Sequence, residues 1–598
     1  MKKNSFPFLR IILYGVTFAG LLAIWVSLQS FETIASFLNN ISRDGNIESF
    51  TVDRFQIIRM PLGLVGLCFT IASGFMLARW KKTEEYINWL STQTRDFGSL
   101  FRQDAQVFWN ELRVAFGGLR WVDIAVLTGL IIAAIIARLY QLNAPLLADE
   151  AYTYSAFASK SLWQTISDYH LPNNHVLLSI MVNLLTHLFG NQVWLIRLPT
   201  MIAGVLMVPA AYVLGGRLYG RNAAVLSAAM IAVFPVLVMY SVWARGYGIV
   251  SLMTLLILIL GDYVRKEKNR FAWFLLIVFS VAGFYAVPIM LFPFGALYTW
   301  LLLSCVFGDL GPYRSKLDFI KYWLIGGFAS ALLTLLLYAP ILFTDSDRFF
   351  NNQFISPVNW DMLPTAFWNG VQDTWHEWTS SIPVWIVILG VLGLVVGLIL
   401  HNRISSQKIP LQIAFLLWIT AILLVRRPDM SPRLWLFLAA PLLIWSAGGL
   451  AGLLELISGA FRKNLYLAQG FVGIVAVSVF LINIVAIPKI PERWDQKSGT
   501  ENLVLYLKDH LREGDLVNAS NNSLSQIRYY FNVYDVPLGY IRRSGPFKRA
   551  FLALSRETDT LEKLAPVDGS NHSLINLDTA RIILKLDGLT VYECYPTP

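Results

Sequence analysis

The chain has 598 residues, of which 56% are hydrophobic and only 14% charged, and its mean hydropathy is +0.55. A soluble protein of this length would be far more polar, so the composition predicts a polytopic membrane protein. The net charge of +10 comes with no compact basic domain, which leaves nucleic acid out of the expected partners, and three scattered cysteines imply neither a disulfide framework nor a cysteine metal site.

The first apolar run, residues 8–28, follows the basic start MKKNSFPFLR without a small-x-small cleavage site and is expected to be a retained span. A second run, 57–78, returns the chain to Arg79, Lys81 and Lys82, which should be cytoplasmic. From there to Arg120 the chain is polar, but Tyr86, Leu90, Phe97, Phe101, Phe108, Leu112 and Phe116 recur at helical spacing, the pattern of an amphipathic helix on the inner membrane face.

A third run, 122–140, leads into LADEAYTYSAFASKSLWQTISDYHLPNNH, the most polar loop of the apolar region. The next apolar piece, 176–189, is about fourteen residues long and contains Asn183, Thr186 and His187, so it is expected to be interfacial or re-entrant. With that choice the later basic clusters (Arg217 and Arg221; Arg265 to Arg270; Arg314 to Lys321; Arg403 and Lys408; Arg462 and Lys463) all fall inside. Further spans near 194–214, 223–242, 249–262, 271–285, 289–307, 322–343, 384–400, 411–424, 434–454 and 472–487 bring the total to about thirteen. The segment 345–381 is expected to hold a helix lying over the membrane surface, and after a linker at PKIPERWDQKSG the remainder reads as a small α/β domain with a DG hairpin near its end. The expected fold is therefore mainly α: a polytopic transmembrane helical bundle with a small C-terminal extracytoplasmic α/β domain.

The candidate chemistry sits on the outer side. Asp149 and Glu150 can take a proton from an attacking hydroxyl, hold a divalent cation, or cap the helix that follows. Asp168, His170, Asn174 and His175 lie in the same loop; Glu150, His170 and His175 are candidate ligands for a possible divalent metal, although their spacing matches no tight ligand motif, and sugar recognition by the same polar groups is the alternative. Arg245 and Tyr247 in YSVWARGYG, together with Arg197, reach the same face, as do Arg426, Arg427 and Arg433 in VRRPDMSPRLW. Arginines on a side that should be poor in them suit a phosphate anion; a snorkelling Arg245 and a salt bridge to Asp429 are the plain alternatives.

The order DEAYT, NNHVLLSIMVNLLTHLFG, VWLIRLPTMIAGVLMVPAAYVLGGRLYGR, FPVLVMYSVWARGYGIVSL and SPRLWLFLAAPLLIW resembles the GT-C membrane glycosyltransferases. Within that group it resembles the bacterial polyprenyl-phosphate-sugar enzymes related to protein O-mannosyltransferases and aminoarabinose transferases. The resemblance implies a polyprenyl-phosphate-linked sugar donor, inversion at the anomeric carbon, and Asp149 as catalytic base with Glu150 beside it. It also implies a glycan, lipid or protein acceptor entering from outside a bacterial inner membrane, among membrane lipids. Residues 1–121 are then a two-span module with its cytoplasmic helix, 122–487 the catalytic domain and 488–598 the extracytoplasmic domain. A transporter or flippase of lipid-linked saccharides is the rival reading; it asks for ionisable residues near the membrane midplane.

Overall fold

The structure is a computed structural model, and it describes residues 7–41, 52–344, 357–428, 431–460, 499–541, 547–554, 560–564 and 575–597. The expected last span, 472–487, and the linker lie outside these residues. Eight helices among the described residues are long and apolar enough to cross a membrane, and ten spans result if each of two bent pairs counts as one. Arg270–Ala286 and Leu411–Arg426 are apolar but shorter.

The chain divides into two compact units, Met1–Val107 and Phe108–Pro598. In the first, the helices Pro7–Leu28 and Val52–Ala78 pack together, joined by Thr17 Oγ1 donating to Ser73 Oγ at 2.8 Å and Arg59 Nε donating to the Ser27 carbonyl at 2.6 Å. The predicted amphipathic stretch is one 38-residue helix, Trp80–Gly117, with Tyr86 and Phe97 exposed.

In the second unit, Val193–Tyr219 and Tyr247–Lys266 form the centre, and each begins at the Asp149 loop and ends in basic residues. At 1.5 Å per residue the 20-residue Tyr247–Lys266 helix separates its ends by about 30 Å. At the far end Arg217 Nε meets Asp262 Oδ2 at 2.8 Å, and Arg265 bridges Asp262 and Asp309 at 3.0 and 2.7 Å. Val176–Phe189 is a helix of 14 residues, about 21 Å long, short of the ~30 Å hydrocarbon core.

The expected span near 223–242 is broken. Arg221–Val233 and Pro235–Val242 meet at 55°, because Pro235 supplies no N–H and Phe234 before it is extended. Arg138, fully buried in the Trp121–Leu142 helix, serves the break: Nη1 donates to the carbonyls of Ala232 and Ala134 at 3.0 Å each and Nε donates to Ser241 Oγ at 2.8 Å. A Cβ on Gly204 would lie 2.7 Å from Arg138 Nε and 2.3 Å from Ser241 Cβ, so only glycine lets this crossing close.

Leu363–Thr379 turns by 118° into Val384–Ile399, so the two cannot form one straight span, and Glu377 on the first accepts a hydrogen bond from the Tyr240 hydroxyl at 2.9 Å. The C-terminal region contains a four-stranded sheet: β1 (Asp515–Ala519), β2 (Arg549–Leu554), β3 (Ile575–Leu586) and β4 (Leu589–Pro596), in the order β1-β2-β4-β3. β1 runs parallel to β2 and the other pairs are antiparallel, with Asp587 and Gly588 turning the β3–β4 hairpin. Sequence reading finds the β3–β4 hairpin but not β2, whose alternation is hidden by the continuous apolar run AFLAL that a strand buried on both faces needs.

Candidate active site

Three loops converge above the central helices. The first begins with a short helix, Ala148–Thr153, continued by a π-helical turn, Tyr154–Ala158. Its N-cap is Leu147, not Asp149: Glu150, three residues on, reaches back to accept the Leu147 N–H at 2.9 Å. The capping alternative therefore belongs to Glu150, and Asp149 stands in the first turn with its carboxylate half exposed.

Glu150 is a correction to the sequence reading, which gave it the acceptor or a cation. It is fully buried, and its carboxylate oxygens accept from Arg197 Nη2 at 2.6 Å, Arg197 Nε at 2.9 Å, the Ala244 N–H at 2.7 Å and the Leu147 N–H. Arg197 is likewise buried; its remaining donors go to the carbonyls of Gln141, Leu142, Ala144 and Pro145 at 2.6–3.2 Å. A buried charge persists only when paired and fully hydrogen-bonded, and this pair meets that condition by turning away from any ligand.

The segment Ala244–Gly246 crosses beside this helix with all three residues held. Ala244 is bound by Glu150. Arg245 Nη2 donates to Asn173 Oδ1 at 3.0 Å and Nη1 donates to Thr153 Oγ1 at 3.3 Å. The Gly246 N–H donates to His175 Nδ1 at 3.1 Å. Because a backbone N–H can only donate, this bond places the His175 proton on Nε2, a buried atom with no hydrogen-bond partner among the described residues. Burial, and then the charges of Arg245 and Arg433, hold the His175 pKa well below its ordinary 6.5, so the ring is neutral. Tyr247 stacks edge-on against His175 at 5.2 Å between ring centroids, under the Arg245 guanidinium.

Asp149 Oδ2 faces two guanidiniums, Arg433 Nη1 at 3.3 Å and Arg245 Nη2 at 3.8 Å. Arg433 belongs to the turn Pro432–Trp435 that starts the Leu436–Ala460 helix, so the third loop brings its charge from 284 residues away. Arg426 and Arg427 do not join it: Arg426 is exposed at the end of Leu411–Arg426, and Arg427, with φ of 43°, lays its guanidinium over the Trp360 ring at 4.8 Å. The alternative partner Asp429 lies outside the described residues.

The rest of the polar loop forms a second cluster. His170 Nδ1 and its backbone N–H both donate to Asp168 Oδ1, at 2.5 and 3.1 Å, and His170 Nε2 meets the Tyr152 hydroxyl at 2.7 Å. The carboxylate only accepts, so Nδ1 carries a proton, and Nε2 holds the Tyr152 hydroxyl in place. Burial and the nearby Asp168 push the Tyr152 phenol up. Asn174 is buried, its Nδ2 donating to the carbonyls of Thr165 and Asp168 at 2.9 and 2.7 Å, which fixes the loop, while its Oδ1 has no hydrogen-bond partner among the described residues. The three candidate metal ligands do not meet: Glu150 is saturated by Arg197, His170 by Asp168 and Tyr152, and among the described residues no three His, Cys, Asp or Glu side chains converge on one point. Sequence reading named His175 and His170 but missed Tyr152, which stands in DEAYT itself and meets His170 only through the fold.

With this geometry in place, one comparison bears on family. Residues 176–338 match the model of the dolichyl-phosphate-mannose-protein mannosyltransferase family. The resemblance to protein O-mannosyltransferases read from the sequence is met over that stretch, which includes Arg197, Arg245 and Tyr247 and begins just past His175. No curated protein matches the chain. Among solved structures it is similar to ArnT from Cupriavidus metallidurans bound to undecaprenyl phosphate, at 10% identity over 78% of this chain and 97% of that one, with a TM-score of 0.49. It is also similar to the apo Archaeoglobus fulgidus oligosaccharyltransferase, at 11% identity over 75% and 62% with a TM-score of 0.39. The arabinosyltransferase EmbB from Mycobacterium smegmatis is similar at 13% identity over 81% and 44%, with a TM-score of 0.37.

Proposed function

We propose that the protein is an inverting glycosyltransferase that moves a sugar from a polyprenyl-phosphate donor to an acceptor hydroxyl. The observation that carries this reading is the Asp149 carboxylate, half exposed and set between the guanidiniums of Arg433 and Arg245. A carboxylate able to take a proton beside two cations able to hold a phosphate is the pair of functions such a transfer needs. The acceptor oxygen forms its bond to the anomeric carbon as the bond to the phosphate oxygen breaks. The hydroxyl proton passes to Asp149, and the electron pair leaves with the lipid phosphate, whose growing negative charge Arg433 and Arg245 neutralise. As the guanidiniums engage the phosphate, their hold on Asp149 weakens, which frees the carboxylate as base.

The donor class is supported by the family match over residues 176–338, whose name carries a lipid-phosphate mannose. An apolar cavity of about 130 Å3, walled by Phe234, Trp378, Ile382 and Leu442, lies in the same bundle and has room for a fragment of a prenyl chain, since ~150 Å3 holds one benzene. The extracytoplasmic location of the site is supported by the basic cluster of Arg217, Arg265 and Lys266 at the opposite ends of the central helices. The transporter reading asks for a free intramembrane charge; Arg138 is such a charge by position, but its bonds to Ala232, Ala134 and Ser241 give it a structural task.

The test is Asp149→Asn in the purified protein with a synthetic polyprenyl-phosphate sugar and a mixture of envelope acceptors. Loss of proton transfer should lower turnover by ~10²–10⁴-fold without lowering the melting temperature, since Asp149 is half exposed. Turnover near the wild-type rate would exclude Asp149 as the base.

A further inference from the structure

Beside the Asp149 site lies a second, larger hollow that the transfer step described above does not use. Its volume is about 740 Å3, within the ~300–1,000 Å3 of small-molecule sites. One wall is the Ala148–Thr153 helix with its π-helical continuation, and the other is the Asn521–Val533 helix of the C-terminal region, which presents Ser525, Arg528 and Asn532 at helical spacing. The two walls are clamped: Gln526 Nε2 donates to the Leu146 carbonyl at 2.6 Å, the Tyr529 hydroxyl donates to the Asn191 carbonyl at 2.7 Å, and the Tyr529 ring meets Tyr154 edge-on at 5.4 Å.

Several independent features mark this hollow as a ligand site. Its lining is rich in hydroxyl-bearing residues, among them Ser155, Ser159 and Tyr152, whose oxygen is oriented by the His170–Asp168 pair. The π-helical turn that lines it is a rare conformation concentrated at functional sites. The charge is asymmetric: Lys160 and Arg528 line it against one carboxylate, Asp168, which already accepts twice from His170, and Lys160 has no ion-pair partner among the described residues. Tyr152 also stands three residues beyond Asp149 on one helix, where β-carbons are about 5–6 Å apart, so the hollow and the proposed base share one short helix.

We propose that this hollow is the acceptor subsite and that it takes an anionic saccharide, one bearing a carboxylate or phosphate, with its ring hydroxyls on Tyr152 and Asn532 and its charge between Lys160 and Arg528. The acceptor role rests on the glycosyl-transfer reading; the binding does not.

The experiment uses the full chain in nanodiscs and two probes of equal size, cellobiose and its uronic-acid counterpart, with affinities measured by saturation-transfer NMR. The acid is expected to bind at least tenfold more tightly than cellobiose. Lys160→Gln combined with Arg528→Gln should remove that preference, and Ser525→Trp, which puts an indole into the hollow, should weaken the acid at least tenfold. Equal affinity for both probes, no binding of either, or unchanged acid binding by a Ser525→Trp variant with wild-type melting would overturn the proposal. If Ser525→Trp fails to fold, Lys160→Gln alone decides, since Lys160 is exposed: an undiminished preference overturns the proposal. Asp149→Asn should bind the acid as wild type does. If it also transfers sugar normally, the base reading falls while the binding site stands.

Discussion

Glu150 and Asp149 are adjacent in the chain and have opposite fates. Glu150 turns inward to Arg197 and two backbone N–H groups, and a buried pair of this kind costs ~3–5 kcal/mol when one partner is removed, because the other charge is stranded. Glu150→Gln should therefore lower thermal stability by about that amount, seen as a large fall in melting temperature in detergent; a variant that melts like wild type would mean the pair is not closed in the folded protein. His175 gives a pH signature at the same scale. Its folded pKa is depressed below the ordinary 6.5 by burial and by Arg245 and Arg433, so the unfolded chain binds more protons in the acid range. Its contribution is complete above pH 6.5 and is lost as the pH falls below it toward the folded pKa. Wild type should lose melting temperature between pH 6.5 and 5 more steeply than His175→Gln, and parallel curves for the two would show that the ring is not buried neutral.

Among elements, the controlling one is the crossing Ala244–Gly246, where three successive residues are tied to the polar loop. A Cβ on Gly246 would lie 2.6 Å from His175 Nδ1, 2.7 Å from Val287 Cγ2 and 2.9 Å from the Ala286 carbonyl, so the space is closed on three sides and one side is backbone. Gly246→Ala should break the His175 bond and shift Arg245, whose guanidinium is one residue away. A small geometric error at such a site can cost about 10²-fold in rate. Turnover should fall by roughly that factor while the donor KM changes less; unchanged turnover would show that the loop positions no reacting group. The broken span beneath it has the same logic in the opposite direction: Pro235 opens the helix, and Arg138 satisfies the carbonyl that the break frees.

For the whole molecule, the C-terminal sheet region and the helical bundle belong to one compact unit, joined at the polar loop by Gln526, Tyr529 and the Tyr154 ring contact. Tyr529 is 1% exposed, so Tyr529→Ala should cost ~3–5 kcal/mol through lost packing, and Tyr529→Phe only ~0.5–1.5 kcal/mol through the hydrogen bond to Asn191. Hydrogen exchange in residues 146–160 should rise in the Ala variant. If exchange there were unaffected, the C-terminal region would not be what holds the loop.

The apolar runs and the basic clusters were legible directly, because a bilayer imposes length and charge rules that act on consecutive residues, whereas the break at Pro235 was not. The same locality made the DG hairpin readable and marked DEAYT as the start of a polar loop. What the sequence could not apportion was partnership. Nothing local separates Asp149 from Glu150, or Arg433 from Arg426 and Arg427; which carboxylate is buried against Arg197 depends on a helix 47 residues away, and which arginine reaches Asp149 on a turn 284 residues away. Such pairings are set by how buried charges find all their partners at once, and only the tertiary structure decides that.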